Sequence, residues 1–168
     1  MIIREEQTQD YNEIKELVRL AFESAEHSDG NEYNLVDMLR KSDGFVKPLT
    51  LVAEDNGELV GHILFTEVQV GDHIGLALAP LSVLPKAQGK GIGTMLMNEA
   101  HDLAKTLGYG FSIVLGSEKY YPRVGYLPAV DFGIIPPFDV PSENFMVLFL
   151  SKEPHTINGT VQYVKEMM

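Results

Sequence analysis

The chain has 168 residues, 45% of them hydrophobic and 22% charged, which predicts one globular domain over residues 1–168 with a buried core. The formal net charge of -11 argues against nucleic acid as a partner, and the absence of cysteine excludes disulfides, thiolate metal sites and a cysteine nucleophile. The N-terminal residues do not resemble a signal peptide, and no apolar run reaches membrane-spanning length. We therefore expect a cytoplasmic protein without membrane contact.

The first quarter of the chain predicts a short apolar strand followed by two helices. Asp10 with Glu13 resembles a capping box in front of an apolar helical stripe from Ile14 to Phe22. A polar loop, Glu26 to Asn31, leads to a second short helix that begins near Glu32.

The centre of the chain predicts an antiparallel meander of three strands. The first strand runs from Leu49 to Glu54, and Asn56-Gly57 forms a tight turn into the second, Leu59 to Val70. Gly71-Asp72 forms another turn into the third strand, Ile74 to Leu84.

The apolar residues of the third strand change phase along its length. They keep one alternation from Ile74 to Leu78 and the opposite one at Leu81 and Val83, with Pro80 between them. A β-bulge near Ala79-Pro80 would reconcile the two phases, and bulges free backbone groups beside active sites. A strand buried on both faces explains the pattern equally well.

The second half of the chain predicts a long helix and several short strands. The helix runs from Gly91 to Leu107, and Phe111 to Leu115 is a buried strand that it connects to the meander. The predicted buried face of the helix consists of Ile92, Met95, Leu96, Leu103, Ala104 and Leu107. Two strands joined through a helix run parallel or splay apart. Phe145 to Leu150 is a further strand, and Thr160 to Val164 pairs at an edge. The fold class is therefore α/β in the mixed sense, with a mostly antiparallel twisted sheet and helices on both faces.

A basic glycine loop, Gln88 to Thr94, joins the third strand to the long helix. Such a loop exposes backbone N–H groups at the positive end of a helix, where a protein can hold a pyrophosphate. The spacing fits neither a P-loop, since no Gly-Lys pair precedes Ser or Thr, nor a dinucleotide fingerprint, since Thr94 replaces the third glycine. A glycine turn without a ligand is the alternative.

The chain resembles the GNAT superfamily of N-acetyltransferases over nearly its whole length, and within it the predicted acetyltransferases of the YhbS type. The motifs that carry the resemblance are Gly61-His62-Ile63-Leu64-Phe65, Leu81-Ser82-Val83-x-Pro85, Gln88-x-x-Gly91-x-Gly93 and Gly116-x-x-x-Tyr120-Tyr121-x-Arg123-x-Gly125-Tyr126. This resemblance implies a GNAT fold with a splayed parallel strand pair. It also implies direct transfer of acetyl from acetyl-CoA, as co-substrate, to a primary amine.

The same resemblance implies which residues bind coenzyme A. The pantetheine arm would dock along Leu81, Ser82 and Val83, with the N–H of Val83 polarising the thioester carbonyl. Cofactor phosphates would contact the loop and one further cation: Gln88, Gly89, Lys90, Gly91, Ile92, Gly93, Thr94 and Arg123. A plain buried strand and solvated lysines are the alternatives.

Tyr121 is the catalytic residue that the resemblance implies, because it stands four residues before Gly125. Its phenol would protonate the coenzyme A thiolate, whereas the alternative is a tyrosine that packs against the core. Glu32 and His62 are candidate acceptors for the amine proton, although Glu32 could instead complement a helix dipole and His62 could be a core histidine. The remaining histidines lack metal-ligand spacing, so we predict no metal.

Two other functions remain open at this point. One is a non-catalytic acyl-CoA-binding sensor or interaction module on the same fold, and the other is a generic nucleotide-binding domain. The acceptor is a small-molecule or protein amine, whose identity would depend on the loops Glu26 to Asn31 and Phe132 to Asn144. Edge strands near the C-terminus are compatible with a homodimer.

Overall fold

The computed structural model describes residues 1–23, 30–152 and 156–167. Within these ranges the helices are α1 (Tyr11–Phe22), α2 (Glu32–Arg40) and α3 (Ile92–Thr106). The strands are β1 (Ile2–Glu5), β2 (Leu51–Asp55), β3 (Glu58–Val70), β4 (His73–Val83), β5 (Phe111–Leu115), β6 (Leu127–Pro128), β7 (Ile134–Ile135), β8 (Phe145–Phe149) and β9 (Gly159–Gln162). None of the described helices combines the length and hydropathy that a membrane span requires. Most of the predicted loop Glu26 to Asn31 lies outside the described residues.

The main sheet has the strand order β1-β2-β3-β4-β5-β8-β6, which confirms the mixed α/β class. Its pairs are antiparallel except for β4 with β5, which is parallel, as the connecting helix predicts. The strand predicted at an edge, Thr160 to Val164, corresponds to β9. It is not an edge strand, because it pairs with the far end of β3 and with β7. It therefore lies between two partners, because the chain from β7 folds back over the end of the long β3 hairpin.

The helices lie on opposite faces of the sheet. Leu96 and Ile92 of α3 cover Gly61, because an added Cβ at Gly61 would lie 2.8 and 3.0 Å from their side chains. Side chains alternate along a strand, so the neighbouring His62 lies on the other face. There it joins a buried polar cluster that includes Arg40 of α2. The sheet therefore has one face covered by α3 and one face covered by α2.

The start of α1 differs from its predicted cap. A 3-10 turn, Thr8–Asp10, precedes the helix, and the N–H of Gln7 donates to the Asp10 carboxylate at 2.7 Å. Glu13 instead accepts a hydrogen bond from the main chain of Leu59 at 2.8 Å. The predicted capping box of Asp10 with Glu13 is therefore wrong, because the extra turn moves the cap three residues towards the N-terminus.

The phase change in β4 is a bulge. Leu81 lies opposite Ile63 and Leu78 lies opposite Phe65, so that Ala79 and Pro80 together face one residue of β3. The extra residue brings the apolar side chains before and after it to the same face of the sheet, under α3. The bulge that the sequence offered as one of two explanations is confirmed.

The long helix is confirmed, but its buried face differs from the predicted stripe. Met95 is 38% exposed and Leu107 is 49% exposed, although both were expected to pack. The buried positions that the prediction left out are Met97, Ala100 and His101. The helix is rotated relative to the expected stripe because its first turn packs on the end of β4 and its third on Phe65.

Candidate active site

An open cleft of about 450 Å³ lies where β4 and β5 diverge. The two strands pair only at Leu76 with Ser112 and at Ala77 with Ile113, and the sheet is open beyond that point. The cleft is lined by Leu81, Val83, Ala87, Gln88, Gly89, Gly91, Ile92, Gly93, Thr94, Tyr120, Tyr121 and Arg123. This lining brings together all of the predicted cofactor residues except Ser82 and Lys90.

The floor of the cleft is the main chain at the start of α3. Gly91 is the N-cap residue with φ +81°, and no atom lies within 4 Å of a Cβ added there. The first bond within the helix is from the N–H of Met95 to Gly91, so the N–H groups of Ile92, Gly93 and Thr94 have no helical partner. These donors carry the positive end of the helix dipole into the cleft. The loop therefore offers an anion a set of unpaired amides.

One wall of the cleft is the free edge of β4. The N–H of Leu84 donates to Val60 of β3 at 2.9 Å, and antiparallel ladders alternate such residues with ones whose main chain faces away. Leu81 and Val83 are of the second kind, so their main-chain groups point into the gap that β5 has left. The Gln88 side chain confirms this direction, since its Nε2 donates to the carbonyl of Val83 at 3.1 Å.

Ser82 contributes no side chain to the cleft. It lies opposite His62 and its side chain points to the face covered by α2, where it is 1% exposed. Its hydroxyl has no hydrogen-bond partner among the described residues. Ser82 therefore lies in the strand that borders the cleft but not in the cleft surface.

Tyr121 lies in the wall opposite β4, at the start of the 3-10 helix Tyr121–Val124. Its ring packs edge-on against Tyr120 and Tyr126, with centroid distances of 5.1 and 5.8 Å. Gly116 makes room for it, because a Cβ there would lie 2.4 Å from the Tyr121 ring. Burial raises the pKa of Tyr121 to about 12. The phenol therefore carries its proton at neutral pH.

A buried polar group supports the Tyr121 ring from behind. The hydroxyl of Tyr126 lies 2.8 Å from the hydroxyl of Ser112 and 3.1 Å from Nε2 of His101. Burial lowers the pKa of His101 to about 4, so this imidazole is neutral. Sequence reasoning missed this group, because its members come from α3, β5 and the turn after Tyr121.

His62 is fully buried on the other face of the sheet and does not line the cleft. Its Nε2 lies 3.0 Å from Oε1 of Glu6, and Arg40 donates two hydrogen bonds of 2.9 Å to the same carboxylate. Burial lowers the pKa of His62, so the ring is neutral and donates to Glu6. Burial alone would raise the pKa of Glu6, but its hydrogen bonds with His62 and Arg40 hold it below the ordinary value.

The remaining predicted charges lie apart from the cleft, with one exception. Glu32 lines a separate cavity of about 400 Å³ between α1 and α2, and Lys90 is exposed. Lys86 pairs with Glu58 on the surface at 2.9 Å. Arg123 lines the cleft itself. Across the described ranges, no three His, Asp or Glu side chains form a group that could hold a metal ion.

Residues 11–126, which include the whole cleft, match the acetyltransferase (GNAT) family. The chain belongs to the GNAT family of acetyltransferases. It is 32% identical over 161 residues to the N-acetyltransferase YjhQ of Escherichia coli, with 91% of this chain and 86% of YjhQ covered. Membership confirms the predicted family, and the protein is an acetyl-CoA-dependent N-acetyltransferase.

Two solved GNAT structures share the fold over almost the whole chain. The E. coli N-acetyltransferase YhbS in complex with CoA has a TM-score of 0.89 at 28% identity, covering 99% of this chain and 91% of YhbS. A GNAT acetyltransferase from Brucella melitensis in complex with acetyl-CoA has a TM-score of 0.82 at 31% identity, covering 99% and 97%. The predicted GNAT fold with its splayed strand pair is thereby confirmed.

Proposed function

We propose that the cleft holds acetyl-CoA along its full length and that the acetyl group passes to a primary amine by direct attack, with Tyr121 as the general acid. The observation that supports this best is that three requirements meet in one cleft. It has unpaired amides for a diphosphate, a free strand edge for an extended arm, and a protonated phenol where the strands part.

The pyrophosphate binds to the amides of the loop and the first turn of α3. Each hydrogen bond from an N–H to a charged oxygen contributes roughly 1.5–3 kcal/mol. No atom lies within 4 Å of a Cβ added at Gly89 or Gly91, so the phosphate oxygens can approach the backbone closely there. Arg123 adds a positive charge at the rim of the same cleft.

The pantetheine arm pairs with β4 as an additional strand. Its amides find partners in the main-chain groups of Leu81 that point into the gap, since the Val83 carbonyl already accepts a hydrogen bond from Gln88. The N–H of Val83 then lies beside the thioester and stabilises the charge that develops on its carbonyl oxygen. One such donor contributes on the order of 100- to 1000-fold to the rate in acyl transfer.

The chemical step balances without a covalent enzyme intermediate. The neutral amine attacks the thioester carbon, the C–S bond breaks, and the departing thiolate takes the phenolic proton of Tyr121. The amine releases one proton to solvent, and the phenolate regains one from solvent. We assign the amine proton to neither His62, whose Nε2 is bonded to Glu6, nor Glu32, which lines a different cavity. The absence of cysteine agrees with direct transfer.

The role of Tyr121 is tested by Tyr121→Phe, which removes the proton but keeps the ring. We expect kcat to fall by roughly 100- to 10,000-fold, the usual contribution of a general acid, while the Kd for coenzyme A changes less than about threefold. Stopped assays of thiol release and calorimetric titration measure the two quantities.

Tyr109→Phe is the matched control, because the Tyr109 hydroxyl bonds Glu67 at 2.6 Å outside the cleft. It should retain the wild-type kcat. A Tyr121→Phe enzyme with kcat within threefold of the control would remove Tyr121 from the mechanism.

A further inference from the structure

A further cavity, of about 330 Å³, opens at the same gap on the opposite face of the sheet. We call it the aromatic cavity. Its lining comes from both diverging strands and from the C-terminal part of the chain: Ala77 to Ala79, Ile113, Leu115, Phe138, Tyr163 and Met167. Ala77 lies opposite Thr66, one residue out of phase with Phe65, which packs against α3. The aromatic cavity therefore lies on the face of the sheet away from α3, whereas the cleft lies on the α3 side.

The aromatic cavity and the cleft border the same open part of the sheet. On β4, Ala79 lines the cavity and Leu81, past the bulge, lines the cleft. On the other side, Leu115 lines the cavity and its neighbour Gly116 packs against the Tyr121 ring in the cleft. No β4–β5 pairing continues past Ala77 and Ile113 in the described chain. A thioester held beside Tyr121 would thus lie at the part of the sheet that the cavity borders.

We propose that the aromatic cavity binds the side group of the acceptor, and that the acceptor is a small primary amine on a short chain ending in an aromatic ring. This inference rests on the proposed function. The volume suits it, since an apolar cavity of about 150 Å³ holds benzene in a protein interior and the remaining space accommodates a two- or three-atom linker.

The walls favour an aromatic ring over a branched aliphatic group. Phe138 and Tyr163 stack at a centroid distance of 5.8 Å with an interplanar angle of 25°, and Phe145 packs edge-on behind Phe138. Such a pair offers both a ring face and ring edges to a third ring. Leu115, which is 47% exposed, supplies an apolar side chain at the cavity wall.

The lining also selects against polycationic acceptors. None of its side chains carries a charge at neutral pH, since burial raises the pKa of Tyr163 further above its ordinary value. An ammonium group in such surroundings has a lowered pKa, which favours the free amine that attacks the thioester. A polyamine would leave additional charges buried without partners. The cavity between α1 and α2 does carry charged side chains, but it shares no residue with β4 or β5.

The first experiment compares kcat/KM for five amines at one acetyl-CoA concentration: 2-phenylethylamine, tyramine, spermidine, kanamycin and a lysine-containing peptide. We expect the two arylalkylamines to exceed the others by at least roughly 100-fold, because desolvation of unpaired charge and loss of ring contacts act together. Equal or higher kcat/KM for spermidine, kanamycin or the peptide overturns the acceptor assignment and leaves the proposed acetyl transfer intact. Binding of acetyl-CoA without transfer to any of the five also overturns the acceptor assignment, whereas the transfer itself is tested by the Tyr121→Phe variant.

The second experiment places the acceptor in this cavity. Phe138→Ala should raise KM for 2-phenylethylamine roughly 10- to 100-fold with the Kd for coenzyme A unchanged. Phe149→Ala is the matched control, because Phe149 packs against Phe132 outside the cavity at 5.0 Å and its removal should leave KM unchanged. Equal KM values for the two variants overturn the assignment.

Substitutions at two exposed positions test the cavity without disturbing the buried core. Leu115→Trp narrows the cavity at a residue that is 47% exposed, whereas Leu127→Trp makes the same change at a residue that is 50% exposed and outside the lining. Only Leu115→Trp should raise KM for 2-phenylethylamine, by roughly tenfold or more. An effect of equal size at Leu127 contradicts the proposal.

Discussion

The cleft and the aromatic cavity lie on two sides of one gap in the sheet, yet they are built differently. The cleft comes from two short continuous segments, and its donors are main-chain amides. The aromatic cavity is lined by two strands and three further parts of the chain, and it would contact the acceptor through side chains alone. Main-chain recognition leaves a fixed glycine spacing in the sequence, whereas a side-chain cavity is visible only after the chain has folded.

A buried ion pair lies on the same face of the sheet as the aromatic cavity. Breaking this pair should have the largest effect on the stability of the protein. Arg40 of α2 holds Glu6 at 5% and 3% side-chain exposure, and α2 packs against the turn that carries Met167 of the cavity. Arg40→Met leaves the carboxylate buried without its charged partner, so we expect a loss of about 3–5 kcal/mol in the free energy of unfolding. Urea denaturation at pH 7 measures it.

The control is Arg19→Met, which removes exposed pairs with Glu16 and Glu23 and should leave the free energy of unfolding nearly unchanged. The pH dependence gives a second check. The folded pKa of Glu6 is depressed, so its stabilising contribution is present above the ordinary pKa and is lost as pH falls through the folded value. The difference between wild type and Arg40→Met should therefore shrink in acid. Equal losses for both variants at pH 7 would contradict this role of the pair.

The cleft should respond to a change of backbone instead. Gly91→Val places a branched side chain in the space above the unpaired amides, and we expect the Kd for coenzyme A to rise on the order of 100-fold as several charged contacts are lost together. Isothermal titration calorimetry measures the change. Lys90→Ala, which removes a charge but no amide, should change Kd less than about threefold.

Gly108→Val controls for backbone strain. Gly108 has φ +91° and open space around it, as Gly91 does, but it lies after the other end of α3. Both valine variants should lose stability, of order 1–3 kcal/mol each, whereas only Gly91→Val should lose affinity. Comparable losses of affinity in the two would show that strain, and not the cleft surface, controls binding.

Much of the fold was predictable because its cues are local. The turn at Asn56-Gly57, the phase change at Ala79-Pro80 and the glycine spacing from Gln88 each determine a few consecutive residues, and the structure has a hairpin, a bulge and a helix start there. The predicted cofactor residues, apart from Ser82 and Lys90, meet in one cleft for the same reason. Their roles in binding and catalysis stay predictions until the variants are measured.

The buried polar groups could not be predicted from the sequence. Glu6 and Arg40 lie 34 residues apart and meet only because α2 packs on the sheet beside the end of β1. His62 is a candidate base because it lies on the predicted central meander, and nothing local in the sequence shows that its ring is enclosed. Phe138 and Tyr163 likewise come together only through the C-terminal strands.

The most direct test follows the backbone amide signals of 15N-labelled protein while coenzyme A is added. The largest shifts should fall on Gly89, Gly91, Gly93 and Thr94, with a second group at Val83, because these N–H groups change partner when the diphosphate and the pantetheine arm bind. Saturable binding with shifts confined to other parts of the chain, and none at residues 88–94, would contradict the cleft as the coenzyme A site.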